Sequence, residues 1–306
     1  MNLLIAFILI VIGFVFLVKG ADWFVDNASG IATKIGVSPL VIGLTIVAFG
    51  TSLPEMAVSV TAALRGANEI AVGNVVGSNM FNLLVVAGLS ACIYPLVINP
   101  TIMKRDWPIS TLASILLVVF VYDSTISFFE GIVLLIFFAF TMFTQLKDGK
   151  ETDEQKVEDR PMISLIIFLC IGIACIIIGG QLAVKGATEL ARILGLSETL
   201  IGLTVVAIGT SLPELVTSIV AAKKGENEIA MGNVIGSNVF NLLFILGISA
   251  TLHPINVEPT ALMDTLILSV VSLGYWFICK KVKLDRKIGI SMVMVYALFM
   301  IYIILR

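Results

Sequence analysis

Apolar runs of about twenty residues recur along the whole chain, each closed by a short polar or charged interval. A hydrocarbon core of ~30 Å needs about twenty helical residues to cross it, so each run predicts a transmembrane helix. Ten such spans are centred near residues 10, 50, 82, 115, 135, 171, 210, 240, 270 and 297. The first resembles a signal peptide in hydrophobicity, but no basic stretch precedes it and no small-residue cleavage site follows, so it is read as a span. Polar letters within this background are concentrated, not scattered. Thr51-Ser52-Leu53-Pro54-Glu55 lies in the second span and returns letter for letter as Thr210-Ser211-Leu212-Pro213-Glu214 in the seventh.

The repeat extends well past five letters. Residues 42–88 align with 201–247 without a gap, and 31 of the 47 positions are identical. Each half holds five spans, an odd number, so the second half enters the membrane from the opposite side. The expected fold is an all-α integral membrane protein of ten transmembrane helices in two inverted five-helix repeats. The repeats cover residues 1–145 and 161–306, joined by a cytoplasmic linker over 146–160, and helices 2, 3, 7 and 8 are broken. Inverted repeats place a shared site near the midplane, where discontinuous helices from the two halves meet. Duplication as an economical way to build a bundle explains apolar similarity, but not why identity is highest at polar letters.

Composition agrees with this class. Of 306 residues, 58% are hydrophobic and 13% charged, which excludes a soluble domain. With the N-terminus outside, 15 of the 19 Lys and Arg residues fall on inward-facing intervals, leaving Arg65, Lys185, Arg192 and Arg306 outside. The positive-inside rule therefore places both termini outside a cell membrane. A net charge of −2 with no basic domain gives no nucleic-acid partner. The interval 147–160, with six acids and four bases, reads as a solvated linker. Cys92, Cys170, Cys175 and Cys279 form no C-x-x-C pair and are read as packing residues, and a lone His253 cannot build a histidine metal site.

A glutamate in the bilayer interior costs a few kcal/mol or more unless it is paired, hydrated or bound to a cation. Pro54 supplies no N–H to the Gly50 carbonyl, so the helix is broken at the same depth. Thr51, Glu55 and Ser59 step by four and share one helical face. Arg65 follows Glu55 by ten residues, a rise of about 15 Å, which puts the carboxylate near the midplane. Gly209, Thr210, Pro213, Glu214 and Ser218 repeat the arrangement. In the next span Asn74, Ser78 and Asn82 also step by four, beside a close-packing pair Gly73 and Gly77, and Asn233, Ser237 and Asn241 match them with Gly232 and Gly236. Asn68-Glu69 and Asn227-Glu228 are expected to cap their own helices, and Asp22, Asp26, Asp123 and Asp264 to be interfacial.

These donors are all hard oxygens, suited to Ca²⁺ and to Na⁺, with no thiolate or imidazole for zinc or copper. Two glutamates contribute −2, so one Ca²⁺ gives a neutral centre, two or three Na⁺ compete for the same charge, and displacement of one by the other is a basis for exchange. A passive channel would favour identical elements around an axis. An intramembrane hydrolase is excluded by the lack of H-E-x-x-H or a serine–histidine pairing, so no enzyme is expected. No cofactor is expected beyond the transported ions, and the chain is read as a monomer.

The segments 42–55 and 73–82, with their copies, resemble the alpha repeats of the calcium/cation antiporter superfamily, and most nearly the prokaryotic sodium/calcium exchangers. The resemblance implies alternating access driven by the sodium gradient, with the first and sixth spans moving. It also implies ion ligation at Thr51, Ser52, Glu55, Ser78 and Asn82, at Thr210, Ser211, Glu214, Ser237 and Asn241, and by the carbonyls of Ala48 and Ala207. Some members carry aspartate at the position of Asn241, and an all-asparagine pair is similar to potassium-independent members. The proton-driven branch usually carries Gly-Asn-x-x-Glu in this helix, whereas Gly73-Asn74-Val75-Val76-Gly77 and Gly232-Asn233-Val234-Ile235-Gly236 lack that acid. A Ca²⁺/H⁺ antiporter using the same two glutamates stays the alternative.

Overall fold

The computed structural model describes residues 3–148, 159–195 and 207–305. The first half runs α1 (Leu3–Ile35), α2 (Pro39–Thr51), α3 (Leu53–Leu64), α4 (Ile70–Ile93), α5 (Ile102–Asp123) and α6 (Phe128–Lys147). The second runs α7 (Met162–Ile193), the short α8 (Ala207–Thr210), α9 (Leu212–Lys223), α10 (Asn227–Leu252), α11 (Pro259–Cys279) and α12 (Arg286–Leu305). Among the described residues eight helices are long and apolar enough to cross a membrane, and the bent pair α2–α3 makes a ninth. The chain is a multi-pass membrane protein. The expected seventh span includes residues 196–206, which lie outside the described residues, as does the linker over 149–158.

Helices α1 and α7, at 33 and 32 residues, are each about 50 Å long and exceed the ~30 Å hydrocarbon core. Lys19 and Lys34, expected in a loop, lie on α1 because no proline intervenes, Gly20 and Gly30 keep helical backbone, and the first glycine at positive φ is Gly36. The two helices run antiparallel in backbone contact. A Cβ built on Gly13 would sit 2.7 Å from the Gly179 carbonyl oxygen, and one on Gly20 would sit 2.8 Å from that of Gly172. Only residues without a side chain allow that approach.

Local sequence fixes the broken helix. Ser38 caps α2 through the Val41 N–H at 3.4 Å, with Pro39 in the first turn. The chain bends by 52° between α2 and α3 at Ser52, where Pro54 withholds its N–H. Ser211 has the same backbone, with ψ of 7° at both serines. Helices α3 and α9 stop on the repeat-related Gly66 and Gly225, at φ of 71° and 81°. The following N–H of Ala67 and of Glu226 reaches back to Ala62 and Ala221, each at 2.9 Å, as a Schellman cap requires.

Helices α4 and α10 form the centre of the molecule, and every residue from Ile229 to Val239 is buried. The breaks expected in helices 3 and 8 take the form of π turns, over Asn82–Val86 and Phe240–Ile245. No proline interrupts these segments, so each helix absorbs the irregularity and continues as one span. Two small clasps tie loops together. Strand β1 (Thr125–Ile126) pairs antiparallel with β2 (Ile255–Asn256), and Leu96 bridges Leu284. Leu96 and Ile255 occupy matching positions of the repeat.

Two charges differ from expectation. Asp264 is buried, because Asp264, Thr265, Leu268, Ser269 and Ser272 form the face of α11 that packs on α5. Glu228 stands in the first turn of α10, as expected, but its hydrogen bonds go to other elements: its carboxylate accepts from the Leu40 N–H of α2 at 3.2 Å and from Asn99 Nδ2 at 2.5 Å. The unpaired N–H groups opening α2 are the stronger claim on it. Asp22 and Asp26 do lie at the surface, each 2.6 Å from Lys224 Nζ.

Candidate cation-binding site

The bend at Ser52 and its copy at Ser211 bring the two repeated segments together. Thr51, Ser52, Glu55, Asn82, Ser211, Glu214, Ser237 and Asn241 are fully buried, and Ser78 nearly so. Thr210 is half-buried and stands against the Glu55 carboxylate. The hydrogen bonds cross between halves: Ser52 Oγ donates to Glu214 Oε1 at 3.0 Å, and Ser211 Oγ donates to Glu55 Oε1 at 2.9 Å. Ser78 Oγ donates to the same Glu55 oxygen at 3.4 Å.

Helix α10 closes the site from the side. Thr51 Oγ1 lies 2.9 Å from Asn233 Oδ1 and 3.4 Å from Ser237 Oγ. The Ala48 carbonyl accepts from the Ser52 N–H at 3.0 Å and lies 3.5 Å from Ser237 Oγ. This approach needs Gly236, where a Cβ would sit 2.6 Å from the Leu44 carbonyl oxygen. Ala207 opens α8 at the position matching Ala48.

Some residues expected on the ion-facing stripe have another use. Asn74 Nδ2 donates to the Glu55 carbonyl at 3.3 Å and to Ser59 Oγ at 2.9 Å. Asn233 repeats this with the Glu214 carbonyl at 3.2 Å and Ser218 Oγ at 2.9 Å. These pairs clamp α3 to α4 and α9 to α10, and they hold the backbone from which the glutamates project.

The decisive feature is what lacks a partner. Glu55 Oε2, Glu214 Oε2, both polar atoms of Asn82 and Oδ1 of Asn241 are buried without a hydrogen bond. Asp106, also fully buried, shows how this chain treats a carboxylate it means to pair: Arg105 Nε lies 2.9 Å from Oδ1 and Gln145 Nε2 donates to it at 3.2 Å. Among the described residues no Lys or Arg is paired with Glu55 or Glu214. Two unbalanced buried carboxylates are strongly unfavourable. Rings of neutral oxygen around them suit a hard cation. Among the described residues no group of three or more His, Cys, Asp or Glu is placed to hold a metal ion.

A family model described as sodium/calcium exchanger protein matches residues 5–147 and 164–305. The chain belongs to the sodium/calcium exchanger family. Among curated relatives, the sodium/calcium exchanger MaX1 of Methanosarcina acetivorans is 34% identical, covering 96% of this chain and 97% of its own. The putative antiporter CaxA of Alkalimonas amylolytica is 39% identical over 82% of each chain. Among solved structures, the sodium–calcium exchanger NCX_Mj superposes with a TM-score of 0.87 at 33% identity, covering 97% of this chain and 98% of its own.

Two residues of the repeated motif stand outside the expected ligand set but beside it in the structure: Asn79 and its repeat mate Asn238. Both are buried against the opposite half, and Asn241 Nδ2 donates to Asn79 Oδ1 at 3.2 Å. Their signal was present, since they stand at matching positions as identical polar letters inside an apolar span.

Proposed function

We propose that this exchanger moves Ca²⁺ outward in return for Na⁺ by alternating access at one midplane site. The observation that carries the reading is the pair of buried glutamates with unpartnered Oε2 atoms, each held by a serine from the other half. Thr51, Ser52, Glu55, Ser78, Asn82, Thr210, Ser211, Glu214, Ser237 and Asn241, with the carbonyls of Ala48 and Ala207, form the ligand set. Their total charge of −2 is balanced by one Ca²⁺ or by two Na⁺, so the ions compete for one charge and not for separate places. The family supports cation antiport. The lack of an acid at Gly77 and Gly236 supports sodium over protons.

The architecture that goes with this reading is ten transmembrane helices in two inverted five-helix repeats, 1–145 and 161–306, about a cytoplasmic linker at 146–160. Eight apolar helices and a bent pair support it, as does the crossed Ser–Glu bonding of repeat-related residues. Both termini lie outside. Lys34, which donates to the Arg160 carbonyl, and Lys224, paired with Asp22 and Asp26, gather basic residues at one end of α1, which supports that orientation. The protein works as a monomer in the bilayer.

The test is ⁴⁵Ca²⁺ uptake into proteoliposomes loaded with Na⁺, Li⁺, K⁺ or acid, with voltage clamped by ionophore. Uptake only against an outward Na⁺ gradient is expected. Uptake driven by a proton gradient, with none from Na⁺, would move the chain to the Ca²⁺/H⁺ class.

A further inference from the structure

The two asparagines of the ligand set are not equivalent in this structure, although their sequences match. Asn241 Nδ2 is tethered to Asn79 Oδ1 at 3.2 Å, which leaves Asn241 Oδ1 unpartnered and buried. Asn82 has neither atom tethered, and Oδ1 of Asn238, the matching acceptor, is also without a partner. Asn79 receives the second half twice, since its carbonyl also accepts from Asn238 Nδ2 at 3.4 Å.

A primary amide has an acceptor at one end and two donors at the other, so a half-turn about its last bond replaces a cation ligand by a group that repels the cation. An amide held through its nitrogen can offer only its oxygen. From this we infer that Asn79 is a positioning residue for the cation site: it fixes the Asn241 amide with oxygen toward the ion and nitrogen away. The inference rests on the ligand set proposed above. Asn79 does not touch the ion. It acts through Asn241, across the boundary between the halves, so the first repeat sets a ligand of the second. Asn82 has no such tether.

The experiment is a double-mutant cycle read by Ca²⁺ titration calorimetry on the purified full-length protein in detergent, with thermal unfolding as a control. A hydrogen bond of ordinary net strength changes an equilibrium by up to about tenfold. Asn79→Ala is therefore expected to weaken Ca²⁺ binding about tenfold when position 241 is asparagine. In an Asn241→Asp background the same change should cost less than about threefold, because a carboxylate presents an oxygen in either orientation. Equal losses in both backgrounds would show that Asn79 is only structural, and no loss in either would also overturn the inference. Should Asn79→Ala not fold, Asn79→Asp decides: it keeps an acceptor for Asn241 Nδ2, so affinity must hold or rise, and a fall refutes the role. If Glu55→Gln leaves Ca²⁺ binding intact, the ligand set itself is wrong and the inference falls with it; a loss in Glu55→Gln without the predicted cycle defeats the Asn79 role alone.

Discussion

Replacing Glu55 by glutamine tests the charge balance of the site with almost no change of shape. Glu55 accepts from Ser211 and Ser78 through Oε1, and an amide oxygen can still accept from both. What is lost is one of two buried negative charges. A unit charge pair about 4 Å apart at an effective dielectric of ~20 is worth about 4 kcal/mol, and a divalent ion doubles that. If hydration of the released ion returns half, Ca²⁺ loses about 4 kcal/mol, on the order of a thousandfold in Kd, and Na⁺ about 2 kcal/mol, roughly thirtyfold. Calorimetry on purified protein gives both constants, and ⁴⁵Ca²⁺ uptake from Na⁺-loaded proteoliposomes should be abolished. Without ions the variant should melt at a higher temperature than the parent, since a charge lacking a counter-ion has been removed from the interior. Equal losses for Ca²⁺ and Na⁺ would refute the electrostatic argument, and normal uptake would sink the site altogether.

Other changes probe the scaffold. Ser52→Ala and Ser211→Ala each remove one crossed donor to a carboxylate, a bond of about 1.5–3 kcal/mol, and should weaken Ca²⁺ binding about tenfold or more and by similar factors, as the repeat demands. Gly236→Ala places a methyl 2.6 Å from the Leu44 carbonyl and should lower stability by about 1–3 kcal/mol and cut transport, measured as melting temperature and uptake. Trp107→Phe removes the indole donor to the Ser272 carbonyl at 3.2 Å and should cost about 1 kcal/mol of stability with Ca²⁺ affinity unchanged. Lys224→Met breaks two pairs to Asp22 and Asp26 at a partly exposed site, and its effect on unfolding should be about 1 kcal/mol or less and vanish in high salt.

Much of this was legible in the letters. Apolar run lengths gave the eight long helices among the described residues, Pro54 gave the bend at Ser52 and Pro213 the matching backbone break at Ser211, and repeated polar letters singled out residues that converge. Hydrogen-bond partnership was not legible. Helical spacing puts Thr51, Glu55 and Ser59 on one face, but only packing shows that Ser59 is claimed by Asn74 while Ser52, on a different face, reaches Glu214 in the other half. The π turns at Asn82 and Phe240 have no proline or glycine signature of their own and arise from fitting two helices around a common centre. Asp264 was misplaced because a charged letter near a span end looks interfacial until a neighbouring helix covers it, and Glu228, in the first turn of its own helix as expected, also answers unpaired N–H groups of α2 that no spacing shows.

The two orphaned carboxylate oxygens also bear on why such a protein would exchange ions and not leak them one way. A uniporter must return empty. On the exchange reading proposed above, a vacant centre would have to change its exposure with two carboxylate oxygens that no protein group satisfies, in a medium that solvates charge poorly. On that reading the vacant form would be held back and the loaded form would not. Coupling between the two ion flows would then need no separate gate or sensor, because slippage would be blocked by the same two side chains that attract the cargo.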